Sequence, residues 1–199
     1  MYSIYNEQRY RRKKQMFRIV VGIQTMLFHP ILNIIWLAFA IGVRFFVMGV
    51  KWIVTYMEVY PLLAPAFKWC MGVIAFLFPI LCAVAILQIL GFLVAVQDEA
   101  DLSIVFEERK EIKCQPPILI YKRRNRKSGV TKRIFSTVIP LECWQRKQEE
   151  ICDRLNCHLV GKEGITYGGR NNDNGNRIVI ETAKGRKIKG RGVLYDDDF

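Results

Sequence analysis

The chain has 199 residues, 51% of them hydrophobic and 24% charged, with 30 Lys and Arg against 18 Asp and Glu for a net charge of +12. A positive mean hydropathy of +0.12 combined with that charge excludes an ordinary cytosolic globular domain, and the length excludes a large multidomain enzyme. The charge is segregated: residues 1–25 carry a net +5, residues 26–96 only +2, and residues 97–199 again +5. A nearly uncharged middle third between basic flanks predicts a membrane protein, with a two-helix transmembrane hairpin followed by a small cytoplasmic α+β domain. The expected divisions are a basic cytoplasmic leader over 1–25, a hairpin over 26–96 with spans at about 26–50 and 69–96, and the α+β domain over 97–199.

The leader carries Arg9, Arg11, Arg12, Lys13, Lys14 and Arg18. It is not a signal-peptide start, because the apolar run behind it is too long and lacks a small-residue cleavage site. Arg11, Arg12, Lys13 and Lys14 are expected to hold the inner leaflet through anionic lipid. The first span, Met26 to Val50, has His29 and Pro30 at its entry, Asn33 inside, and Arg44 six residues before its expected end. There the long Arg44 stem is expected to snorkel to the interface, the alternative being a functional intramembrane charge. Lys51, Trp52, Tyr56 and Tyr60 form an outer interfacial belt, and Pro61 and Pro65 break the chain before it returns. The second span, Trp69 to Val96, holds no charge. As a helix it is roughly 42 Å long, more than the roughly 30 Å hydrocarbon layer, so it must tilt, extend or kink at Pro79. The basic leader outweighs the two lysines of the connecting loop, and the positive-inside bias predicts a two-pass cell-membrane protein with both termini cytoplasmic.

Beyond the spans, Asp98, Glu99, Asp101, Glu107 and Glu108 form an acidic patch. Residues 109–133 then hold ten basic residues and one acid. The run ILIYKRRNRKSGVTKRIFSTVIP predicts strand, basic turn (122–133) and strand, with the tip at Ser128-Gly129. Arg123, Arg124, Arg126, Lys127, Lys132 and Arg133 are the candidate phosphate contacts. Nucleic acid, lipid headgroups and a merely solvated loop all remain open readings of this turn. An amphipathic helix is expected from Pro140, with Leu141, Trp144, Gln148, Ile151 and Leu155 on one stripe and Asn156 as its stop. Short strands are expected at Cys157–Val160, Ile165–Tyr167 and Arg177–Thr182, a turn at Lys184-Gly185, and an edge strand near Ile188 to Leu194.

Catalytic motifs are missing from the sequence. No phosphate loop, G-x-S-x-G or H-E-x-x-H occurs, and nothing near His158 in sequence orients it as a base. The six cysteines form no disulfide framework: Cys70 and Cys82 fall in the second span, and Cys114, Cys143, Cys152 and Cys157 of the tail are expected as reduced thiols. The spacing of Cys152, Cys157 and His158 is not a usual zinc pattern. No catalytic, cofactor or metal residue is therefore assigned, and the chain is not expected to be an enzyme.

Several motifs between residues 139 and 199 carry a resemblance. They are Leu141 and Trp144 opening a helix, Ile151-x-Asp153-x-Leu155-Asn156 closing it, the Tyr167-Gly168-Gly169 turn, Thr182-Ala183-Lys184-Gly185-Arg186, and Leu194-Tyr195-Asp196-Asp197. This stretch resembles the region just upstream of the motor in FtsK/SpoIIIE-like DNA translocases, most of all the version in coupling proteins of Gram-positive conjugative elements. Two N-terminal spans behind a basic leader fit the same layout. The resemblance implies a membrane anchor and assembly module of a DNA translocation or conjugative transfer complex. It implies as partners the lipid bilayer, a RecA-like ATPase or other transfer-complex subunits, double-stranded DNA through its phosphates, and further copies of the chain in a homo-oligomer. The family's nucleotide-binding motifs would lie beyond Phe199, so ATP-driven work is expected of a partner or a further domain. Trp144, Ile151, Leu155 and Tyr167 are the candidate assembly surface. The alternative is a structural or regulatory membrane protein that binds anionic lipid and recruits a cytosolic partner without nucleic acid.

Overall fold

A computed structural model describes residues 2–108, 115–161, 164–168 and 174–185. The chain divides into two units, one of residues 18–92 and one that joins residues 1–17 to residues 93–199. The strand expected near Ile188 to Leu194 lies outside the described residues.

In the unit of residues 18–92, helix α1 (Tyr2–Phe28) ends and a 3-10 turn follows at Pro30–Asn33. Proline opens that turn, where its missing N–H would have had no partner anyway. Helix α2 (Ile34–Tyr56) and helix α3 (Ala64–Val105) then run through apolar sequence. Pro30–Tyr56 and Ala64–Val105 are both long and apolar enough to cross a membrane. The leader is therefore helical, and the first apolar segment differs from its expected bounds. The helix restarts after His29-Pro30 rather than at Met26, and it continues past Val50 to Tyr56. The second begins five residues earlier than Trp69 and ends nine residues later than Val96.

Residue pairs fix the direction of packing in this unit. Phe46 lies against Phe78 with ring centroids 4.7 Å apart, and Trp36 and Leu87 line one cavity. As numbers rise along α2 they fall along α3, so the two helices are antiparallel. Helix α1 approaches α3 so closely that a Cβ on Gly22 would overlap the Leu87 carbonyl, and one on Gly91 would overlap the Arg18 carbonyl. Only glycine permits this backbone approach. Arg18 is buried at the crossing, donates to the Gly91 carbonyl at 3.4 Å, and sits 5.4 Å over the Phe92 ring.

The other unit is built on an antiparallel sheet. Strands β1 (Ile118–Arg124) and β2 (Val130–Ser136) form a hairpin. The long strand β5 (Asn174–Lys184) pairs with β2 along one edge. On its other edge it pairs with β4 (Ile165–Gly168) and then with β3 (Cys157–Leu159). The expected single helix after Pro140 is two short ones, α4 (Leu141–Arg146) and α5 (Gln148–Arg154), meeting at Lys147. The Lys147 ammonium donates to the Val105 carbonyl at 2.8 Å, which satisfies an orphan acceptor at the end of α3. Asn156 stops the second helix with φ of 47°, a conformation asparagine tolerates better than most residues.

The core of this unit joins the last turns of α3 to the sheet. Ala95, Leu102, Val105 and Phe106 pack with Leu119, Phe135, Ile178 and Ile180, and with Trp144 and Ile151 of the short helices. Phe106 and Phe135 flank the Trp144 ring at 4.8 and 5.8 Å between centroids.

Candidate nucleic-acid or lipid phosphate interface

The hairpin between β1 and β2 carries the basic turn, and its backbone is closed from within. Asn125 N–H donates to the Val130 carbonyl at 2.8 Å, and Gly129 N–H returns to the Asn125 carbonyl at 2.9 Å. The Asn125 side chain accepts from Lys127 N–H at 3.0 Å, an Asx-type turn. Gly129 has φ of 69°, the left-handed region that favours glycine. Four candidate contacts, Arg123, Arg124, Arg126 and Lys127, are exposed around this closed tip. Their guanidinium and ammonium groups form a compact cationic knob suited to phosphate oxygens.

The other two candidates are placed differently. Lys132 is half-exposed and faces Glu181 across the β2–β5 ladder, with Nζ 3.0 Å from the carboxylate. Arg133 is a correction: it is 9% exposed and not available to an external phosphate. Its Nε donates to Asp98 Oδ2 at 3.0 Å and its Nη1 to the Thr182 hydroxyl at 2.6 Å. Lys122, opposite Arg133 in the hairpin, reaches the same Asp98 oxygen at 2.7 Å. Two like charges directly opposite each other on a ladder repel. The Asp98 carboxylate between them resolves that conflict and fastens both strands to α3.

Glu99 makes a second fastening. Its Oε1 accepts from Leu119 N–H at 3.0 Å, covering part of the outer edge of β1. Lys14 of α1 lies 3.5 Å from Glu99 Oε2, and Tyr10 donates to the Pro116 carbonyl at 3.0 Å. The acidic patch expected after the second span is thus partly an internal clamp, since Asp98 and Glu99 are 5% and 7% exposed. Of the expected anchoring residues, Arg11 is exposed and pairs with Glu7 at 2.7 Å, and Arg12 is exposed. Lys13 lies 5.8 Å from the Phe17 ring centre. Burial, then Arg9 and Arg177, hold the Lys13 ammonium below its ordinary pKa.

The candidate assembly surface also needs correction. Trp144 and Ile151 have no exposed surface, because both point from the short helices into the sheet core. Leu155 and Tyr167 are partly buried against that core, and the Tyr167 hydroxyl accepts from Leu141 N–H at 3.3 Å.

Sequence reasoning missed the Cys152–Cys157 pair as a unit. The Cys152 thiol hydrogen-bonds the Cys157 sulfur, which burial opposes and Arg133 and Thr182 support, so that Cys157 is lowered to about 7 while Cys152 is raised. His158 points elsewhere, with Nδ1 2.7 Å from the Gly185 carbonyl. Among the described residues no three His, Cys, Asp or Glu side chains gather as a metal site.

No protein family and no curated protein matches the chain. Among solved structures, the pCW3 conjugation coupling protein TcpA, in its monomer form with ATPγS, is similar to part of it. The match has 19% sequence identity and a TM-score of 0.36, and covers 44% of this chain and 23% of that one. This chain therefore spans about a quarter of that protein's length.

Proposed function

We propose that this chain is a membrane anchor and assembly module of a DNA translocation or conjugative transfer complex. In this reading α2 and α3 cross the cell membrane, both termini are cytoplasmic, and ATP hydrolysis belongs to a RecA-like partner or to a further domain. The observation that carries it is the cationic tip of Arg123, Arg124, Arg126 and Lys127. It stands on a hairpin that Asp98 clamps to α3, the helix that supplies the second apolar segment. A tip held in this way positions duplex DNA through phosphates without reading its sequence.

The test is duplex binding by the full chain in detergent across a salt series. Replacing Arg123, Arg124, Arg126 and Lys127 together with glutamine should weaken binding and flatten the plot of log K against log salt by up to about 3.6, at roughly 0.9 for each phosphate that is no longer neutralised. An unchanged slope sinks the DNA reading of the tip. The second reading, a lipid-binding regulatory protein, is favoured by the exposed Arg11 and Arg12 of the leader. Anionic vesicles bound through the tip, with no duplex binding, would select it.

A further inference from the structure

Arg44 lies near the middle of α2 rather than near its end. Lys51, with Trp52 and Tyr56 beyond it, marks one interface of the segment, and Asn33, beside the His29-Pro30 break, marks the other. At about 1.5 Å per residue, Arg44 is roughly 10 Å from the Lys51 level and roughly 16 Å from the Asn33 level. Its side chain reaches ~6 Å. Helical Cα–Cβ bonds tilt toward the helix N-terminus, so the stem starts out toward Asn33, the more distant interface. At these distances the guanidinium falls short of both levels.

Among the described residues the charge also has no partner. Arg44 is exposed, and no hydrogen bond or ion pair joins it to any of them. It lies on an outward stripe with Leu37, Ile41 and Met48, which are 65%, 52% and 56% exposed. The only acid in residues 26–96 is Glu58, which lies beyond the end of α2. A second copy of this unit therefore supplies no carboxylate at the depth of Arg44, and a lipid phosphate lies out of reach.

We propose that the Arg44 face of α2 docks a transmembrane helix of another protein that carries a carboxylate near mid-membrane. An unpaired guanidinium in hydrocarbon is costly, and an intramembrane Asp or Glu removes that cost while gaining a bidentate pair. The inference rests on the membrane-spanning reading of α2 and deepens it by naming the chemistry of the partner.

The experiment places the full chain in phosphatidylcholine vesicles with labelled polyleucine transmembrane peptides whose central residue is Glu, Asn or Leu. Association is read by energy transfer, and membrane integration is read separately by alkaline extraction. The Glu peptide should associate roughly tenfold more tightly than the Leu peptide. Arg44→Leu should bring it to the Leu baseline, and Arg44→Lys should keep the preference. Equal association of the Glu and Leu peptides with an integrated chain overturns the docking site alone, as does a preference that survives Arg44→Leu. Extraction of the wild-type chain by alkali overturns the spanning reading, and the docking site with it.

Discussion

The Asp98 clamp makes a quantitative claim about what holds the hairpin to α3. Asp98 has a 7% exposed side chain and accepts from both Arg133, 10% exposed, and Lys122, 28% exposed. Asp98→Asn keeps the shape and one carbonyl acceptor but removes the negative charge, leaving two buried or half-buried cations opposite each other. Breaking a buried pair from one side costs about 3–5 kcal/mol. Lys122 has enough exposure to rehydrate and Arg133 keeps the Thr182 hydroxyl at 2.6 Å, so the expected cost is about 3 kcal/mol, the lower end. For a unit made of residues 1–17 and 93–199 that lowers the thermal midpoint by roughly 12 °C. The assay is thermal unfolding of the full chain in mild detergent, with hydrogen exchange of the peptides covering 118–136 as the local readout. Arg133→Met should cost less, because Asp98 keeps Lys122, and the double variant should show a coupling of roughly 1–2 kcal/mol. Asp98→Asn within about 0.5 kcal/mol of wild type, a typical surface substitution, would refute the reasoning.

Trp144 is fully buried and its indole N–H has no partner among the described residues. Trp144→Phe should therefore stay within about 1 kcal/mol of wild type, whereas Trp144→Ala should lose about 3–5 kcal/mol in the same unfolding assay. At the α1–α3 crossing, Gly91→Val forces the backbones apart and should cost roughly 1–3 kcal/mol. Gly72→Val, with open space around it, is the control that should leave the midpoint unchanged. The thiol pair predicts a pH profile. Cys157 is lowered from 9.0 to about 7, so its contribution is full above the unfolded value and is lost as pH falls from 9.0 through about 7. Cys152 is raised, so it withdraws stability as pH rises above 9.0. Unfolding followed from about pH 6 to about pH 10 should show a maximum near 9.0, and Cys157→Ser should flatten it.

The apolar helices, the basic hairpin and the Gly129 tip are legible in the sequence because each rests on a local signal: a charge-free run, an alternation of period two, a turn dipeptide. Arg133 reads as exposed when charge clusters are followed rather than parity. It shares a sheet face with Phe135, two residues on, and that face is the core. The acids read as a surface patch for the helical version of the same reason. Ala95, Asp98, Glu99, Leu102, Val105 and Phe106 recur at three- and four-residue spacing, so the two carboxylates sit on the buried stripe of α3. Neither pattern alone shows that Asp98 meets Arg133, thirty-five residues away. That pairing depends on how the sheet lies on the helix, which is tertiary information. The helix break at Lys147 is hidden too: no glycine or proline marks it, and the ammonium that reaches back to the Val105 carbonyl there is a tertiary contact.

Two arginines in the unit of residues 18–92 show how the same side chain meets opposite circumstances. Arg18 is 6% exposed and spends its guanidinium on the Gly91 carbonyl and the Phe92 ring face. It belongs to the α1–α3 crossing, and Arg18→Leu should destabilise that crossing by about 1–3 kcal/mol by removing the charged hydrogen bond. Arg44 makes no such bond to the described residues, and its stem stands among exposed Ile41, Phe45 and Met48. Replacing it by leucine removes no hydrogen bond or ion pair to the described residues and relieves the cost of a charge in hydrocarbon. The isolated chain reconstituted in vesicles should therefore be as stable after Arg44→Leu as before, or more so, while Arg18→Leu is less stable. A destabilised Arg44→Leu chain would mean that the guanidinium is already paired within the fold, and would remove the reason for an external carboxylate.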